Sequence, residues 1–386
     1  MIRKRKVKVK DVVLPHSKAK VEFFKSYLEK YLSILVNSEY ISEINIVDAF
    51  CGKGEYSDGG IGSPIESFYA IEKVIQSSLY KAKSTTINHI INDIKPENTK
   101  SVIEYFDQKG GISGWNFESH NYDFEAFKSY LYNLVDNQTS KTRTLIFLDP
   151  YGYKNIDKAT ILDLTRNNKT EIVLWLPIAN MKRFIDKSKD TDLAAFLPLK
   201  SFINAFFPDN QDEIFSTMGV FEFINKITMS LRVNNLYTTS YYIERDQANY
   251  YSLFFLSPNN LGFEKILEVK WQLDEINGRG FSQIKPATLF DDEFKLEDKT
   301  KKLDYLKSEL KSFLVISKSN LEIRQFMLLN EFLPKHFVPI LKDWLKLEII
   351  DCTDSSGKKV SKILTEDFNY KNFKNKTHLY SVKYLK

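Results

Sequence analysis

The sequence predicts an α/β protein with a Rossmann-like sheet, and three observations support this prediction. Short apolar runs that end at an acidic residue alternate with longer segments whose apolar residues recur every three or four positions. The first such run, residues 44–48, is followed by a loop with five glycines and then by a helix start. In open α/β sheets, a strand, a glycine-rich turn and a helix N-terminus together form a cradle for a nucleotide or cofactor.

Composition excludes several classes of protein. With 386 residues and 43% hydrophobic content, the chain can bury an α/β core and a second domain. No apolar run of about 18 residues is present and none follows the basic N-terminus, so we expect a cytoplasmic protein without a membrane span or secretory signal. The two cysteines, Cys51 and Cys352, are far apart and the five histidines show no ligand spacing, so we expect neither a disulfide framework nor a metal site.

Positive charge is concentrated at the N-terminus. The net charge is +5, yet residues 1–20 hold eight lysines and arginines against Asp11, which leaves 47 bases against 49 acids in the rest. Such an arm, residues 1–15, can bind phosphates through Arg3, Lys4, Arg5 and Lys6. A solvated tail that aids solubility is the alternative.

The glycine-rich loop is the first candidate ligand site. After it, Ser63, Pro64 and Glu66 form a capping box with proline at the first helical position, so we expect a helix from residue 64. The candidate cofactor-binding residues here are Asp48, Phe50, Gly52, Gly54 and Ser63. A loop that needs glycine only to turn is the alternative.

Two further strand ends carry candidate residues. Residues 87–94 form a predicted second strand that ends near Asp93, where a nucleoside-binding sheet places the carboxylate that accepts ribose hydroxyls. An ordinary turn acid before Pro96 is the alternative.

The continuous apolar run 145–148 predicts a central parallel strand that ends at Asp149. Because ligands of open α/β sheets bind at the carboxyl ends of strands, we expect Asp149 to face the same crevice as Asp48.

Several segments together resemble the three-Cys-motif partner proteins, a family of class I methyltransferase-like chains. They are HSKAKVEFFKSYLEKYL at 16–32, IVDAFCGKGEY with GSP, INDI at 91–94 and FLDPYGY at 147–153. The resemblance covers roughly residues 15 to 275 and implies S-adenosylmethionine as the ligand. It implies that Asp123 contacts the adenine ring, although Asp123 can equally cap a helix over 124–135. It also implies a role for His16, Lys18 and Lys20, and we count Lys20 among the candidate nucleic-acid contacts.

The segment that starts at Asp149 resembles motif IV of amino-methyltransferases. There an acidic or amide residue is followed by two prolines and an aromatic residue, and it accepts a hydrogen bond from a target amine while the aromatic ring stacks on an extruded base. Asp149 and Pro150 match this pattern, Tyr151 stands in place of the second proline, and Tyr153 is an additional stacking residue. An aspartate and proline that merely end a strand are the alternative.

We therefore expect an S-adenosylmethionine-dependent methyltransferase that acts on an exocyclic amine of a nucleic-acid base, in DNA or RNA. Methylation of a pyrimidine ring carbon needs a thiolate nucleophile in the site, commonly in a proline and cysteine pair. This reaction is disfavoured, because neither cysteine follows a proline. Two other functions stay open. One is an accessory protein that acts with a radical-SAM iron–sulfur partner bearing three cysteines, as the family's name suggests, and the other is a methyltransferase for a small molecule or protein side chain.

The remaining chain predicts a helical insertion and a second domain. The methyltransferase-like domain spans 16–275, with a fifth strand at 172–178, an insertion at 180–234 and an antiparallel strand pair at 238–244 and 250–257. Residues 276–302 form a predicted linker.

Residues 303–386 predict a winged-helix-like domain. Helices at 321–329 and 334–347 precede a predicted hairpin of 348–352 with 358–364. Winged helices bind nucleic acids or dock proteins, so both uses stay open. The candidate phosphate contacts of this domain are Lys335, Lys342, Lys358 and Lys359.

Overall fold

The computed structural model divides the chain into two compact units. It describes residues 12–77, 85–110, 112, 114–150, 156–189, 193–207, 215–233, 235–246, 248–282 and 291–385, with the backbone alone for 291–300. The first unit is Met1–Pro258 with Phe281–Ile284, and the second is Asn259–Gly280 with Lys285–Lys386. This division differs from the predicted domain limit at residue 275, because a helix that follows Pro258 belongs to the second unit.

The first unit contains a mixed sheet. Its strands are β1 (Glu43–Asp48), β2 (Thr86–Asn92), β3 (Trp115–His120), β4 (Thr142–Leu148), β5 (Thr170–Leu176), β6 (Tyr237–Asp246), β7 (Asn249–Ser257) and β8 (Gly280–Ser282). In the described residues the strand order is β3-β2-β1-β4-β5-β7-β6-β8. Strands β1 to β5 are parallel, whereas β7 runs antiparallel to both β5 and β6. The predicted Rossmann-like sheet and its closing antiparallel pair are thus confirmed.

The strand order reverses between β1 and β4. These two strands are neighbours, and Asp48 pairs in register with Phe147. The chain proceeds from β1 to β3 on one side of this point and from β4 onward on the other, which makes it the topological switch point where open α/β sheets bind ligands. Strand β4 is buried almost throughout because helices cover both faces of a central parallel strand.

Helices flank the sheet. In chain order they are α1 (Pro15–Val36), α2 (Ser63–Ile75), α3 (Pro96–Lys109), α4 (Phe124–Asp136), α5 (Lys158–Thr165), α6 (Ile178–Lys189), α7 (Leu197–Phe206) and α8 (Val220–Leu231). The first of them begins with proline at its N-terminal turn, and its Phe24 stacks on Phe147 with ring centres 4.4 Å apart. This contact fixes α1 beside the end of β4. None of the helices in the described residues is long and apolar enough to span a bilayer.

The predicted insertion between β5 and β6 is helical. It contains α6, α7, a short 3₁₀ turn at Phe215–Thr217 and α8. Five of its phenylalanines are buried together and therefore form core rather than a recognition surface. They are Phe202, Phe206, Phe207, Phe215 and Phe223. Phe221 is exposed instead.

The second unit combines helices with a small antiparallel sheet. Its elements are α9 (Asn260–Leu273), α10 (Asp291–Phe313), β9 (Lys318–Ser319), α11 (Asn320–Leu329), α12 (Pro334–Lys346), β10 (Ile350–Thr353), a 3₁₀ turn (Thr365–Phe368), α13 (Tyr370–Lys374) and β11 (Ser381–Tyr384). The described strands are ordered β10-β11-β9. The guanidinium group of Arg324 on α11, fully buried, bonds to Asn260 and Glu264. Since both partners lie on α9, this bonding explains why α9 belongs to the second unit.

The predicted hairpin of the second unit is only partly correct. The chain turns where expected, because the Asp354 carboxylate accepts hydrogen bonds from the backbone amides of Ser356 and Lys358. However, the strand that pairs with β10 is β11, and residues 358–364 contribute a single bridge from Lys359 to Thr353. A strand from the chain end therefore takes the place that the sequence pattern predicts for 358–364.

Candidate functional site

A cavity of about 310 Å³ lies at the carboxyl ends of β1, β4 and β5. Its wall comes from the start of α1, the loop after β1, the residues after β4, and the facing parts of β5 and β7. The lining residues are Val13, Ser17, Lys20, Val21, Phe50, Cys51, Gly52, Tyr56, Ile61, Gly62, Ser63, Asp149, Pro150, Trp175, Pro177 and Tyr251. The two segments expected to share a crevice, the glycine-rich loop and Asp149-Pro150, therefore border one cavity.

Two glycines of the loop have different reasons to be glycine. Gly52 has φ +63°, lines the cavity, and has open space where a Cβ atom would stand. Gly54 has φ +77°, and a Cβ there would lie 2.8 Å from the Val102 side chain. Gly52 thus leaves the cavity wall bare of a side chain, whereas Gly54, which does not line the cavity, is required by packing against α3.

Asp48 lies beneath this loop. Its carboxylate accepts a hydrogen bond from the Ser63 hydroxyl at 2.5 Å and from the Phe50 amide at 3.3 Å. The side chain is 1% exposed, and this burial raises the pKa of Asp48 to about 7. The charge of Asp149 raises the pKa further, while the two hydrogen bonds and the charge of Lys20 oppose the shift. The hydrogen bonds of Asp48 therefore fix the positions of Ser63 and Phe50, and both of these residues line the cavity.

Asp93 supports the same loop from β2. One carboxylate oxygen accepts from the Gly52 amide at 3.0 Å, and the other accepts from the Lys95 amide at 2.9 Å. Asp93 is buried and is not among the residues that line the cavity. Its bonds fix the loop directly, which differs from the predicted position facing a ribose.

Asp123 takes the alternative position that the sequence left open. It is the N-cap of α4, and its carboxylate accepts a hydrogen bond from the Ala126 amide at 2.9 Å. The residue is exposed and does not line the cavity. The neighbouring Phe50 stacks on Phe124 with ring centres 5.2 Å apart, so α4 contributes to the cavity indirectly.

Cys51 lines the cavity but remains a thiol. Burial raises its pKa well above the ordinary value, and the nearby charges of Asp48 and Asp93 act in the same direction. A nucleophilic cysteine needs the opposite environment, because the thiolate is the reactive form. The side chain instead packs as a small apolar group in a buried cluster with Ile65 and Val102.

Asp149 is paired with a lysine. The ammonium group of Lys20 on α1 donates to Oδ2 of Asp149, and the two side chains are 13% and 22% exposed. Lys20 is also a predicted nucleic-acid contact, and the packing of α1 directs its side chain to the end of β4. Tyr151 and Tyr153, the two predicted stacking residues, lie outside the described residues.

An aromatic wall completes the cavity. Trp175 near the end of β5 stacks on Tyr251 of β7 at 4.8 Å between ring centres, and Tyr251 stacks on His16 of α1 at 5.4 Å. Neither Trp175 nor Tyr251 is among the residues predicted from the sequence. Because β7 is antiparallel to β5, residues far apart in the chain become diagonal neighbours on one face of the sheet. The one available sequence signal was a tryptophan in an apolar run, two residues before the proline that follows β5.

The candidate phosphate contacts fall in two places. Arg3, Lys4, Arg5 and Lys6 lie outside the described residues, although the arm that carries them continues into Val13 at the cavity wall. In the second unit, the four predicted contacts are all exposed to solvent. They are Lys335 and Lys342 on α12, and Lys358 and Lys359 after β10.

Comparisons with known proteins show similarity to methyltransferases at low identity. No family model matches the chain, and no curated protein matches it. Among solved structures, an O-methyltransferase from Bacillus cereus in complex with SAH has 8% identity and a TM-score of 0.31, and covers 59% of this chain and 80% of that one. The O-methyltransferase TomG from Streptomyces achromogenes, in complex with SAM, has 10% identity and a TM-score of 0.32, with 59% and 79% covered.

A third similar structure is TrmK from M. capricolum in complex with SAH. It has 11% identity and a TM-score of 0.24, and covers 72% of this chain and 96% of that one. These values are too low to carry an argument about this chain, so its Rossmann-like fold rests on the sheet order described above. The resemblance to the three-Cys-motif partner family stays a prediction.

Proposed function

We propose that this protein is an S-adenosylmethionine-dependent methyltransferase that acts on an exocyclic amine of a nucleic-acid base. One observation carries the proposal: the glycine-rich loop and the Asp149-Pro150 segment border a single cavity at the topological switch point. A methyl donor bound against the loop and an amine held by Asp149 would then meet across that cavity. Methyl transfer depends mainly on such proximity and alignment, so few catalytic side chains are needed.

The loop has features that suit S-adenosylmethionine. Gly52 has a bare surface on the cavity and a positive φ, so the backbone can approach a ligand closely. Ser63, held by Asp48, begins α2 at the cavity wall, where the helix N-terminus favours negatively charged groups such as the ligand's carboxylate. We assign Phe50, Gly52 and Ser63 to direct contact, and Asp48, Gly54 and Asp93 to support of the loop.

Asp149 acts on the acceptor. When bound, S-adenosylmethionine supplies a methyl group activated by its sulfonium. The Asp149 carboxylate accepts a hydrogen bond from one N–H of the acceptor amine, which aligns the nitrogen lone pair with that methyl group. As the new N–C bond forms, the bond between the methyl carbon and the sulfonium sulfur would break and leave a neutral thioether, and the positively charged nitrogen would release a proton to Asp149. Pro150 restricts the backbone φ angle beside this carboxylate, and Tyr151 or Tyr153 would stack on the base.

Basic segments would supply most of the affinity for nucleic acid. The segment before α1 is anchored at the cavity, since the Val13 amide donates to the Asp58 carboxylate at 3.2 Å and Val13 lines the wall. Val13, near the end of the basic arm, therefore lies beside the site. In the second unit, Lys335, Lys342 and Lys346 are separated by seven and four residues and therefore lie on one exposed face of α12. We assign this unit to the winged-helix class, with α12 as the helix that contacts phosphates.

Transfer of labelled methyl groups tests the proposal. The protein is incubated with methyl-tritiated S-adenosylmethionine and either total RNA or sheared genomic DNA, and label in the acid-insoluble fraction is counted. We expect incorporation by the wild type, a loss of roughly 100-fold or more in Asp149→Ala, and no loss in Asp163→Ala. Asp163 is an exposed aspartate of α5 and serves as the matched control.

The outcome separates the proposal from its alternatives. Calorimetric binding of S-adenosylmethionine without transfer to either nucleic acid would contradict the assigned acceptor and favour an accessory protein or a small-molecule enzyme. Transfer that is equal in Asp149→Ala and wild type would contradict the assigned role of Asp149. Failure to bind the cofactor would overturn the proposed function as a whole.

A further inference from the structure

We propose that Lys20 is a positioning residue of this site, which holds the Asp149 carboxylate so that one of its oxygens remains available for the acceptor. The proposal rests on the proposed function and extends it to a helix that lies far from motif IV in sequence. Its basis is a continuous set of contacts that joins α1, β5 and β7 to the end of β4. We call this set the lysine column, and it consists of His16, Tyr251, Trp175 and Lys20.

The lysine column leaves the ammonium group little freedom. His16 and Lys20 are four residues apart and therefore lie on one face of α1. Tyr251 stacks on His16 with the ring planes 5° apart, and Trp175 stacks on Tyr251 with the planes 16° apart. Nζ of Lys20 then lies 5.0 Å from the centre of the Trp175 ring. A cation above an indole face is attracted by the ring quadrupole, so Trp175 holds the lysine from one side and Asp149 from another.

The bonding of Asp149 is one-sided. Lys20 donates to Oδ2, and within the part of the chain that the structure describes no hydrogen bond reaches Oδ1. An ionised carboxylate can accept about two hydrogen bonds on each oxygen. Since Lys20 occupies one oxygen and restrains rotation of the group, the other oxygen is the available acceptor for an amine N–H.

His16 is an uncharged member of the lysine column. Burial lowers the pKa of His16 to about 4, and the charges of Arg245 and Lys20 act in the same direction. His16 is 8% exposed, and in the described residues its Nδ1 has no hydrogen-bond partner. At neutral pH the imidazole is therefore an uncharged ring in the stack, and Lys20 supplies the single positive charge of the column.

An acceptor-free measurement tests the position of the pair. Sinefungin carries an ammonium group where S-adenosylmethionine carries the transferred methyl group, whereas S-adenosylhomocysteine carries nothing there. We measure both affinities by calorimetry at pH 8.5, for wild type and for Lys20→Met, Lys20→Arg and Lys30→Met. Lys30 lies further along the same helix and serves as the matched control, because its replacement removes the same charge.

We expect the affinity for sinefungin, relative to that for S-adenosylhomocysteine, to rise about tenfold in Lys20→Met, because Asp149 loses its cation. Lys20→Arg and Lys30→Met should stay within about twofold of wild type. In Asp149→Asn the relative affinity should fall about tenfold, and adding Lys20→Met to it should have no further effect. A lysine that only stabilises the fold would change both affinities together, so the ratio distinguishes positioning from structure.

Turnover gives the second readout. In Lys20→Met the kcat of label transfer should fall roughly 100-fold while the affinity for S-adenosylhomocysteine is unchanged, and Lys20→Arg should recover most of the rate. The inference would be overturned if the wild type binds S-adenosylhomocysteine but Lys20→Met leaves the ratio of sinefungin affinity to S-adenosylhomocysteine affinity unchanged. The cofactor assignment would then remain intact. A wild type that binds neither ligand would instead overturn the proposed function and the inference with it.

Discussion

Replacement of Asp48 by asparagine should make the protein more stable at alkaline pH and should weaken its affinity for S-adenosylmethionine. Asp48 is fully buried, and its carboxylate accepts two hydrogen bonds, from Ser63 and Phe50, without a directly bonded cation among the described residues. An asparagine has nearly the same shape, and its amide oxygen can still accept from the Phe50 backbone. The variant therefore removes the buried charge and leaves the loop with most of its contacts.

The pKa shift gives the sign and size of the stability change. The carboxyl titrates near 3.8 in the unfolded chain and near 7 in the folded one. Because the folded value is raised, the favourable contribution of this group is present below pH 3.8 and is lost as pH rises through 7. At about 1.4 kcal/mol for each unit of pKa shift, the penalty approaches ~4 kcal/mol above pH 8. Between pH 5 and pH 8, the stability advantage of Asp48→Asn should grow by about 2 to 3 kcal/mol.

Urea unfolding at pH 5, 6, 7 and 8 measures this change, and Glu171→Gln is the matched control. Glu171 is also fully buried, and burial raises its pKa to about 7, but it bonds to Tyr27 and Ser257 and does not line the cavity. The unfolding free energy of both variants, relative to that of the wild type, should increase as pH rises. The wild-type affinity for S-adenosylmethionine should rise about tenfold from pH 6 to pH 8 as Asp48 ionises. We expect the same rise in Glu171→Gln and a flat, weaker affinity in Asp48→Asn.

Two results would refute the reasoning. A difference in unfolding free energy between wild type and Asp48→Asn that is constant from pH 5 to pH 8 would show that Asp48 does not titrate with a raised pKa. A wild-type affinity for S-adenosylmethionine that falls with rising pH through 7 would show that the ionised carboxylate does not favour the cofactor.

Further predictions concern the loop, the basic arm and a buried histidine. Asp93→Ala should weaken S-adenosylmethionine binding about tenfold in calorimetry, because the Gly52 amide loses its partner; equal affinity would contradict this role. Replacing the basic residues at 3–6 with serine should reduce the slope of log affinity for duplex DNA against log salt by about 0.9 for each phosphate that the arm no longer neutralises, and an unchanged slope would exclude them. Burial lowers the pKa of His89 to about 3, so His89→Phe should become more stable relative to wild type as pH falls below 6.5 in thermal unfolding; a pH-independent difference would argue against a neutral buried imidazole.

Much of the first unit could be predicted because its pattern is local. The apolar runs of β1 and β4 are continuous in the sequence, and a strand that is buried on both faces requires such runs. The turn after β1 needs residues with positive φ, and glycine at 52 and 54 marks it directly. These short-range requirements are visible without any knowledge of distant contacts.

The cavity wall opposite the loop could not be predicted from local pattern. Lys20 lies on an amphipathic helix where a lysine is ordinarily solvated, and only the packing of α1 beside β4 brings it to Asp149. Trp175 is an apolar residue of a buried strand, and Tyr251 is an aromatic residue with a polar hydroxyl group. Their contact depends on the antiparallel register of β5 and β7. Similarly, local pattern does not show which distant segment pairs with β10. In the structure this segment is β11.

Local patterns were sufficient to predict the parallel strands of the first unit, the glycine-rich turn after β1 and the aspartate that follows β4, because hydrophobic periodicity and backbone dihedral preferences act over a few residues. The charges and rings that meet at the cavity could be identified only from the folded chain. The pairing of Lys20 with Asp149, the stacking of Trp175 on Tyr251 and the buried environment of Asp48 all arise from contacts between residues distant in the chain. Such contacts depend on sheet register and on helix packing, and these are properties of the assembled fold.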